Sequence, residues 1–149
     1  MTGAVRDETP RNRTGGCACG SVRYRVDGPM KQVIACHCSI CRRQTSHFLA
    51  FTAAWTDQLS VTGADRIAWY RSSETSRRGF CSDCGSFLFF ETDGAEKVSI
   101  SAGSLDDDTG FRLVAHIHVD DKSGYYQIAD DAARWPQGGD DVPMPPRDA

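Results

Sequence analysis

The chain has 149 residues, 40% of them hydrophobic and 25% charged, with a formal charge of −3. That size suits one domain with a modest core. The even scatter of Lys and Arg excludes the basic stripe of a nucleic-acid binder. No apolar run approaches the roughly 18 residues needed to cross a membrane, and the opening "MTGAVRDETPRNRTGG" has no apolar segment of the secretory kind, so a cytoplasmic protein is expected.

In chain order, residues 1–14 are polar and are expected to form a flexible N-terminus. Residues 15–135 form a single domain. Residues 136–149, "PQGGDDVPMPPRDA", form a flexible or extended tail rich in Pro, Gly and Asp. Within the domain the dominant period is two. In "SVRYRV", Val22, Tyr24 and Val26 share one face, and Arg23 and Arg25 share the other. Further strands are predicted in "KQVIA", "HFLAFTAAW", "QLSVTG", "RIAWYRS", "SFLFFET", "KVSISAG", "FRLVAHIHV" and "GYYQIA", with turn residues between most of them. Helix is confined to one turn after Cys41 and a short piece over Asp130 to Arg134. The fold class is mainly β: stacked antiparallel sheets, as a sandwich or a partly open barrel.

The seven cysteines fall in three places: "GGCACGS" (Cys17, Cys19), "ACHCSICRR" (Cys36, Cys38, Cys41) and "GFCSDCGS" (Cys81, Cys84). In a reducing compartment such clusters point to metal ligands or redox groups rather than structural disulfides. Cys19 and Cys84 are each followed by Gly, at Gly20 and Gly85. Such a turn aims both of its sulfurs at one point, and Gly tolerates the positive φ by which the chain leaves. Pairing the two matched turns gives Cys17, Cys19, Cys81 and Cys84 as a closed four-thiolate zinc site of structural type. The stabilisation is on the order of 10 kcal/mol by analogy with zinc-finger peptides.

Cys36, Cys38 and Cys41 then remain as three ligands with one coordination position open, the pattern of a catalytic zinc. Three alternatives stay open: the middle cluster completing the four-thiolate site, His37 completing the second tetrahedron, or a disulfide within 36–41. An open three-thiolate zinc is a weak Lewis acid but accepts another soft ligand. A coordinated thiol is deprotonated and is the nucleophile. The predicted chemistry is capture of a small thiol and its attack on a small electrophile. Arg42 and Arg43 follow the last ligand and Arg77 and Arg78 precede Cys81. Arg42, fixed by Cys41, is the candidate to hold a thiol's carboxylate.

At these positions the chain resembles the glutathione-dependent formaldehyde-activating (Gfa-like) family, whose domain is shared with centromere protein V. The resemblance runs from about Gly15 to Asp130 and rests on "GGCACGSVRYRV", "CHCSICRR", "RRGFCSDCGSFLF", "SISAGSLDD" and "HIHVDDKSGYY". It implies two Zn2+ per chain, a structural one on Cys17, Cys19, Cys81 and Cys84 and a labile catalytic one on Cys36, Cys38 and Cys41. It also implies carbon–sulfur lyase chemistry, with glutathione and formaldehyde as partners. Relatives of this type commonly have Gly where Ser46 stands, so the Ser46 side chain is expected to alter the approach to the open zinc.

His47, six residues past Cys41, is a candidate acid or base. His116 and His118 alternate on "AHIHV" and are expected on one strand face, in a structural or surface role. Asp106, Asp107 and Asp108 read as a solvated turn. Trp55, Trp69, Tyr70, Tyr125 and Tyr126 read as core or groove packing. Against the enzyme stand a zinc-stabilised binding module without catalysis and a thiol redox sensor.

Overall fold

The computed structural model describes residues 9–139 and 142–149. Among these residues eleven strands make two sheets. The smaller sheet joins β1 (Arg11–Gly16), β2 (Arg23–Pro29) and β5 (Leu59–Thr62) in the order β1-β2-β5. The larger contains β3 (Val33–Cys36), β4 (Leu49–Trp55), β6 (Ile67–Arg71), β7 (Ser76–Cys81), β8 (Phe87–Thr92), β9 (Lys97–Ser101), β10 (Leu113–Ile117) and β11 (Ala133–Arg134). Its order is β11-β10-β3-β4-β9-β8-β7-β6, and neither sheet closes into a barrel. Helix α1 (Ser39–Thr45) follows β3, and short 3-10 turns punctuate the remainder.

The period of two places the core. On β2, Tyr24 and Val26 are buried and Arg23 and Arg25 exposed. Tyr24 and Val26 pack with Val22, Met30, Leu88, Phe89, Val98 and Ile100, joining the small sheet to the large one. Tyr24 meets Phe89 edge-on at 5.7 Å between ring centroids. Each such side chain contributes about 1.5–3 kcal/mol when fully buried. A second cluster, Ile34, Cys36, Cys41, Leu49, Ala115 and Ile117, surrounds the end of β3. This strand is buried at all four positions because β10 and β4 flank it.

Several expectations need correction. The large sheet is mixed: β10 runs parallel to β3 and to β11. After β9 the chain crosses β4 and β3 and returns along the far edge in the direction of β3. The loose N-terminus ends earlier than residue 14, because β1 pairs with β2 from Arg11 onward; residues 1–8 of that stretch lie outside the described residues. "GYYQIA" forms no strand, since Tyr125 and Tyr126 are committed through their hydroxyls to Ser46 O and His37 Nδ1. The short helix over 130–134 is replaced by a turn and β11: Asp130 accepts from Ala132 N at 3.0 Å, and Arg134 donates to Asp130 O at 2.9 Å. The tail over 142–149 has neither helix nor strand, yet it is docked. Trp55 Nε1 donates to Pro145 O at 2.9 Å, and the Arg147 guanidinium lies 4.1 Å from the Trp55 ring centre.

The sequence reading also passed over β7, "SRRGFC". It is held by Gly79 lying opposite Trp69, whose ring occupies the space a side chain would fill; a Cβ there would approach the ring to 2.9 Å. Among the described residues no helix is long and apolar enough to cross a membrane.

Candidate functional site

The sheets bring the cysteines together as two separate groups. Cys17 follows β1 and Cys81 ends β7, and each opens a tight turn. Gly20 N donates to Cys17 O at 3.2 Å, and Gly85 N donates to Cys81 O at 2.7 Å. Gly20 and Gly85 leave these turns at φ of 82° and 77°, a region that costs any other residue a Cβ clash. Ala18 N donates to Ser86 Oγ at 3.0 Å and ties one turn to the other. The Sγ atoms of Cys17 and Cys19 are 3.6 Å apart and those of Cys19 and Cys81 3.8 Å; all four lie within 4.8 Å of one another. Sulfurs on a zinc tetrahedron with Zn–S of about 2.3 Å are about 3.8 Å apart, so the donor set fits that ion. All seven cysteines are free thiols.

The surroundings suit thiolates. Val22 N donates to Cys17 Sγ at 3.2 Å. The Ser86 hydroxyl, helped by the backbone N–H groups of Ser86 and Cys19, holds Cys84 down to about 5, whereas burial pushes Cys81 up to about 11.

The second group is Cys36, Cys38 and Cys41, whose sulfurs also lie within 4.8 Å of one another. Cys36 ends β3, Cys38 caps the N-terminus of α1 by accepting from Cys41 N at 3.4 Å, and Cys41 lies in the first turn. Strand alternation turns His37 away, and the helical turn then brings Cys41 back over Cys38. No fourth His, Cys, Asp or Glu joins this group among the described residues. Hydrogen bonds from Cys36 and Cys41 hold the Cys38 thiol far below the usual range, while bonds with Cys38 first and Cys41 second push Cys36 up.

These three cysteines line one side of a cavity of about 350 Å³. Phe51, Phe87 and Phe90 form apolar walls, and Arg78, Lys97 and His118 add polar groups. Arg78 reaches in from β7, donating from Nη1 to Cys41 Sγ at 3.3 Å and to Gln44 Oε1 at 3.0 Å.

His37 is occupied elsewhere. Its Nε2 is 2.9 Å from His116 Nδ1, and His116 Nε2 is 3.0 Å from the Asp130 carboxylate. Tyr126 OH is 3.3 Å from His37 Nδ1. A carboxylate only accepts, so with one proton on each imidazole the order along the chain is set. His116 donates to Asp130, His37 donates to His116, and Tyr126 donates to His37. Burial holds His37 down to about 4, leaving its ring neutral at pH 7. Both ring nitrogens thus have partners on the side away from the sulfurs.

The remaining candidates are distributed as follows. Arg42 is half-buried on α1 and is absent from the cavity lining. His47 is absent from it too; its ring packs against Phe48 and Tyr126, with centroids 4.4 and 4.2 Å away. His116 and His118 do not share a strand face, because β10 ends at Ile117 and His118 turns into the left-handed region at φ 55°. His118 thereby enters the cavity lining and His116 stays buried. Ser46 caps the C-terminus of α1 at φ 67°, so glycine's conformational freedom accounts for a preference for Gly there. Asp106 pairs with Arg23 and Thr14, and Asp107 with Arg13, so the acidic turn clips onto the small sheet. Sequence reasoning gave His118 a structural or surface role, did not single out Lys97, and ranked Arg42 above Arg78. Recognising 76–81 as a strand would have placed Arg77 and Arg78 on opposite faces.

A mainly β protein with one four-cysteine knot and a separate cysteine trio in a cavity defines a class of candidate metalloproteins. The family model of the glutathione-dependent formaldehyde-activating enzyme matches residues 12–121, and the chain belongs to that family. It is 30% identical over 117 residues to an uncharacterised lyase of Schizosaccharomyces pombe, covering 77% of this chain and 84% of the relative. It is 33% identical over 103 residues to a Halomonas elongata protein that provisionally carries the name of glutathione-dependent formaldehyde-activating enzyme, covering 63% of this chain and 66% of the relative. The crystal structure of a Rhodobacter sphaeroides protein shares the fold at a TM-score of 0.55 and 21% identity, covering 82% of this chain and 98% of that one.

Proposed function

We propose that this protein is a zinc-dependent carbon–sulfur lyase-like enzyme that activates a small thiol for addition to a small electrophile. Glutathione and formaldehyde are the pair its kinship suggests. Cys36, Cys38 and Cys41 hold the catalytic zinc, and Cys17, Cys19, Cys81 and Cys84 hold the structural one. A bound zinc supplies an acceptor for sulfur and lowers the pKa of a thiol. The observation that carries the reading is a three-sulfur group, without a fourth side-chain donor among the described residues, facing a cavity with room for a ligand.

In the forward direction the thiol loses its proton, sulfur forms a bond to the carbonyl carbon, the C=O π bond breaks, and the resulting oxygen takes up one proton. S-hydroxymethylglutathione is the product, and the reverse reaction is the lyase direction. In this reading apolar walls and Arg78 orient the thiol, and His118, in the same cavity lining, returns a proton to the oxygen. Seven unbridged cysteines suit a reducing, cytoplasmic setting.

The test is metal analysis together with a turnover assay. Two zincs per chain are expected, one readily removed by a chelator, with 13C-formaldehyde and glutathione combining faster than in buffer. One tight zinc and no acceleration would leave a zinc-stabilised binding module. Reversible loss of metal with a disulfide inside 36–41 under mild oxidant would make the protein a redox sensor.

A further inference from the structure

We propose that Arg78 makes the cavity beside the cysteine trio a carboxylate-binding site, so that the thiol admitted there is one that carries a carboxylate; the thiol half of this inference rests on the function proposed above. Arg78 is 6% exposed, with its guanidinium enclosed near Phe90 and Phe87 at 5.2 and 6.0 Å from the ring centres. Nη1 is engaged with Cys41 Sγ and Gln44 Oε1, while the buried Nε has no hydrogen-bond partner. The neighbouring arginines show the ordinary solution. Arg77, one residue away and facing outward, pairs with Glu91 at 2.9 Å, and Arg71 pairs with Asp93. No ion pair forms at Arg78 among the described residues.

A buried cation without a carboxylate is costly unless another anion compensates it. The thiolate trio supplies one such anion. The unpartnered Nε provides a place for a second, because a guanidinium presents a planar fork matched to carboxylate. The rest of the lining agrees: Lys97 adds positive charge, and among the described residues no Asp or Glu lines the cavity. The aromatic walls lower the local dielectric and strengthen charge recognition there. The Nη1 bond ties the guanidinium to Cys41, so a carboxylate held by Arg78 shares the cavity with a sulfur seated on the trio.

The test is isothermal titration of the zinc-loaded protein with 3-mercaptopropionate, 2-mercaptoethanol and propionate. In the wild type, 3-mercaptopropionate binds at least about ten-fold tighter than 2-mercaptoethanol, consistent with one charge-assisted contact. Arg78→Met removes that preference and propionate binding with it, while Arg78→Lys keeps part of the preference. Equal affinity of the two thiols in the wild type, or a preference undiminished in Arg78→Met, overturns the proposal. Should Arg78→Met fail to fold, the wild-type ratio and Arg78→Lys decide, because a Lys variant with an undiminished ratio also overturns the role of the fork. Propionate that binds through Arg78 without being displaced by either thiol upholds the anion site and overturns thiol activation instead.

Discussion

His37, one residue past β3, and His116 on β10 share a hydrogen bond of 2.9 Å, in the middle of a one-way chain from Tyr126 to Asp130. Both imidazoles are almost fully buried, whereas Asp130 is about half exposed. Removing an inner member strands a buried N–H; removing the outer carboxylate lets water replace it. His116→Ala is therefore expected to cost about 1–3 kcal/mol, and Asp130→Ala about 1 kcal/mol or less. Urea denaturation checks the order, and equal effects would show that burial along the chain does not set its energetics.

The two cysteine groups differ in what they join. The knot ties residues 17–19 to 81–84 across the fold, whereas the trio lies within one β3–α1 segment. Cys38→Ser is expected to remain folded by circular dichroism, losing one zinc and the activity. Cys84→Ser is expected to lose most of its folded population, since a structural zinc contributes on the order of 10 kcal/mol in peptide systems. An unfolded Cys38→Ser would reverse the division of labour.

Gly15 lies beneath Tyr24. A Cβ there would sit 2.3 Å from Tyr24 Oη and 2.4 Å from Ser104 O, where the Tyr24 hydroxyl bonds to Ser104 Oγ at 2.7 Å. Gly15→Ala is expected to lower stability by about 1–3 kcal/mol through overpacking, measured by thermal melting. An unchanged melting temperature would mean that β1 shifts freely.

Ser46→Gly should have the opposite sign. Relief of the left-handed backbone favours the variant by about 1–2 kcal/mol, and the extra freedom of the unfolded chain takes back about 0.4–1 kcal/mol. The Tyr125 contact uses the Ser46 carbonyl and survives the change. A small gain in denaturation midpoint is expected, and a loss would point to a contact made by the Ser46 hydroxyl.

Asp106 gives a pH signature. Arg23 first, and then the Thr14 hydroxyl, hold its carboxyl down to about 2. The folded pKa is depressed, so the clip between β2 and the turn after β9 is fully present above the ordinary carboxylate value. It is lost as pH falls from about 4 towards 2. Carboxyl-carbon NMR should show the low midpoint, and Arg23→Met should raise it.

The strands that sequence made legible were those with clean alternation, such as Tyr24 and Val26 against Arg23 and Arg25. The cysteine grouping was legible because Gly20 and Gly85 mark turns that point sulfurs inward. β7 was hidden: its inward residue is Arg78, a charge where the pattern calls for an apolar side chain, and Gly79 gives no signal of its own. β10 was placed correctly but not its parallel pairing, which depends on where the chain crosses. Sequence distance favoured Arg42 over Arg78, but a helix carries Arg42 outside the cavity while the fold brings Arg78 across from another strand.

β7 carries Arg78 towards the trio and terminates three residues later at Cys81 in the knot. The two cysteine groups therefore share a lever. Loss of the knot would free the end of that strand, and with it the guanidinium held against Cys41, so the cavity and the fold would fail together. Chelation that reaches only the trio would instead alter ligand binding and leave the sheets standing.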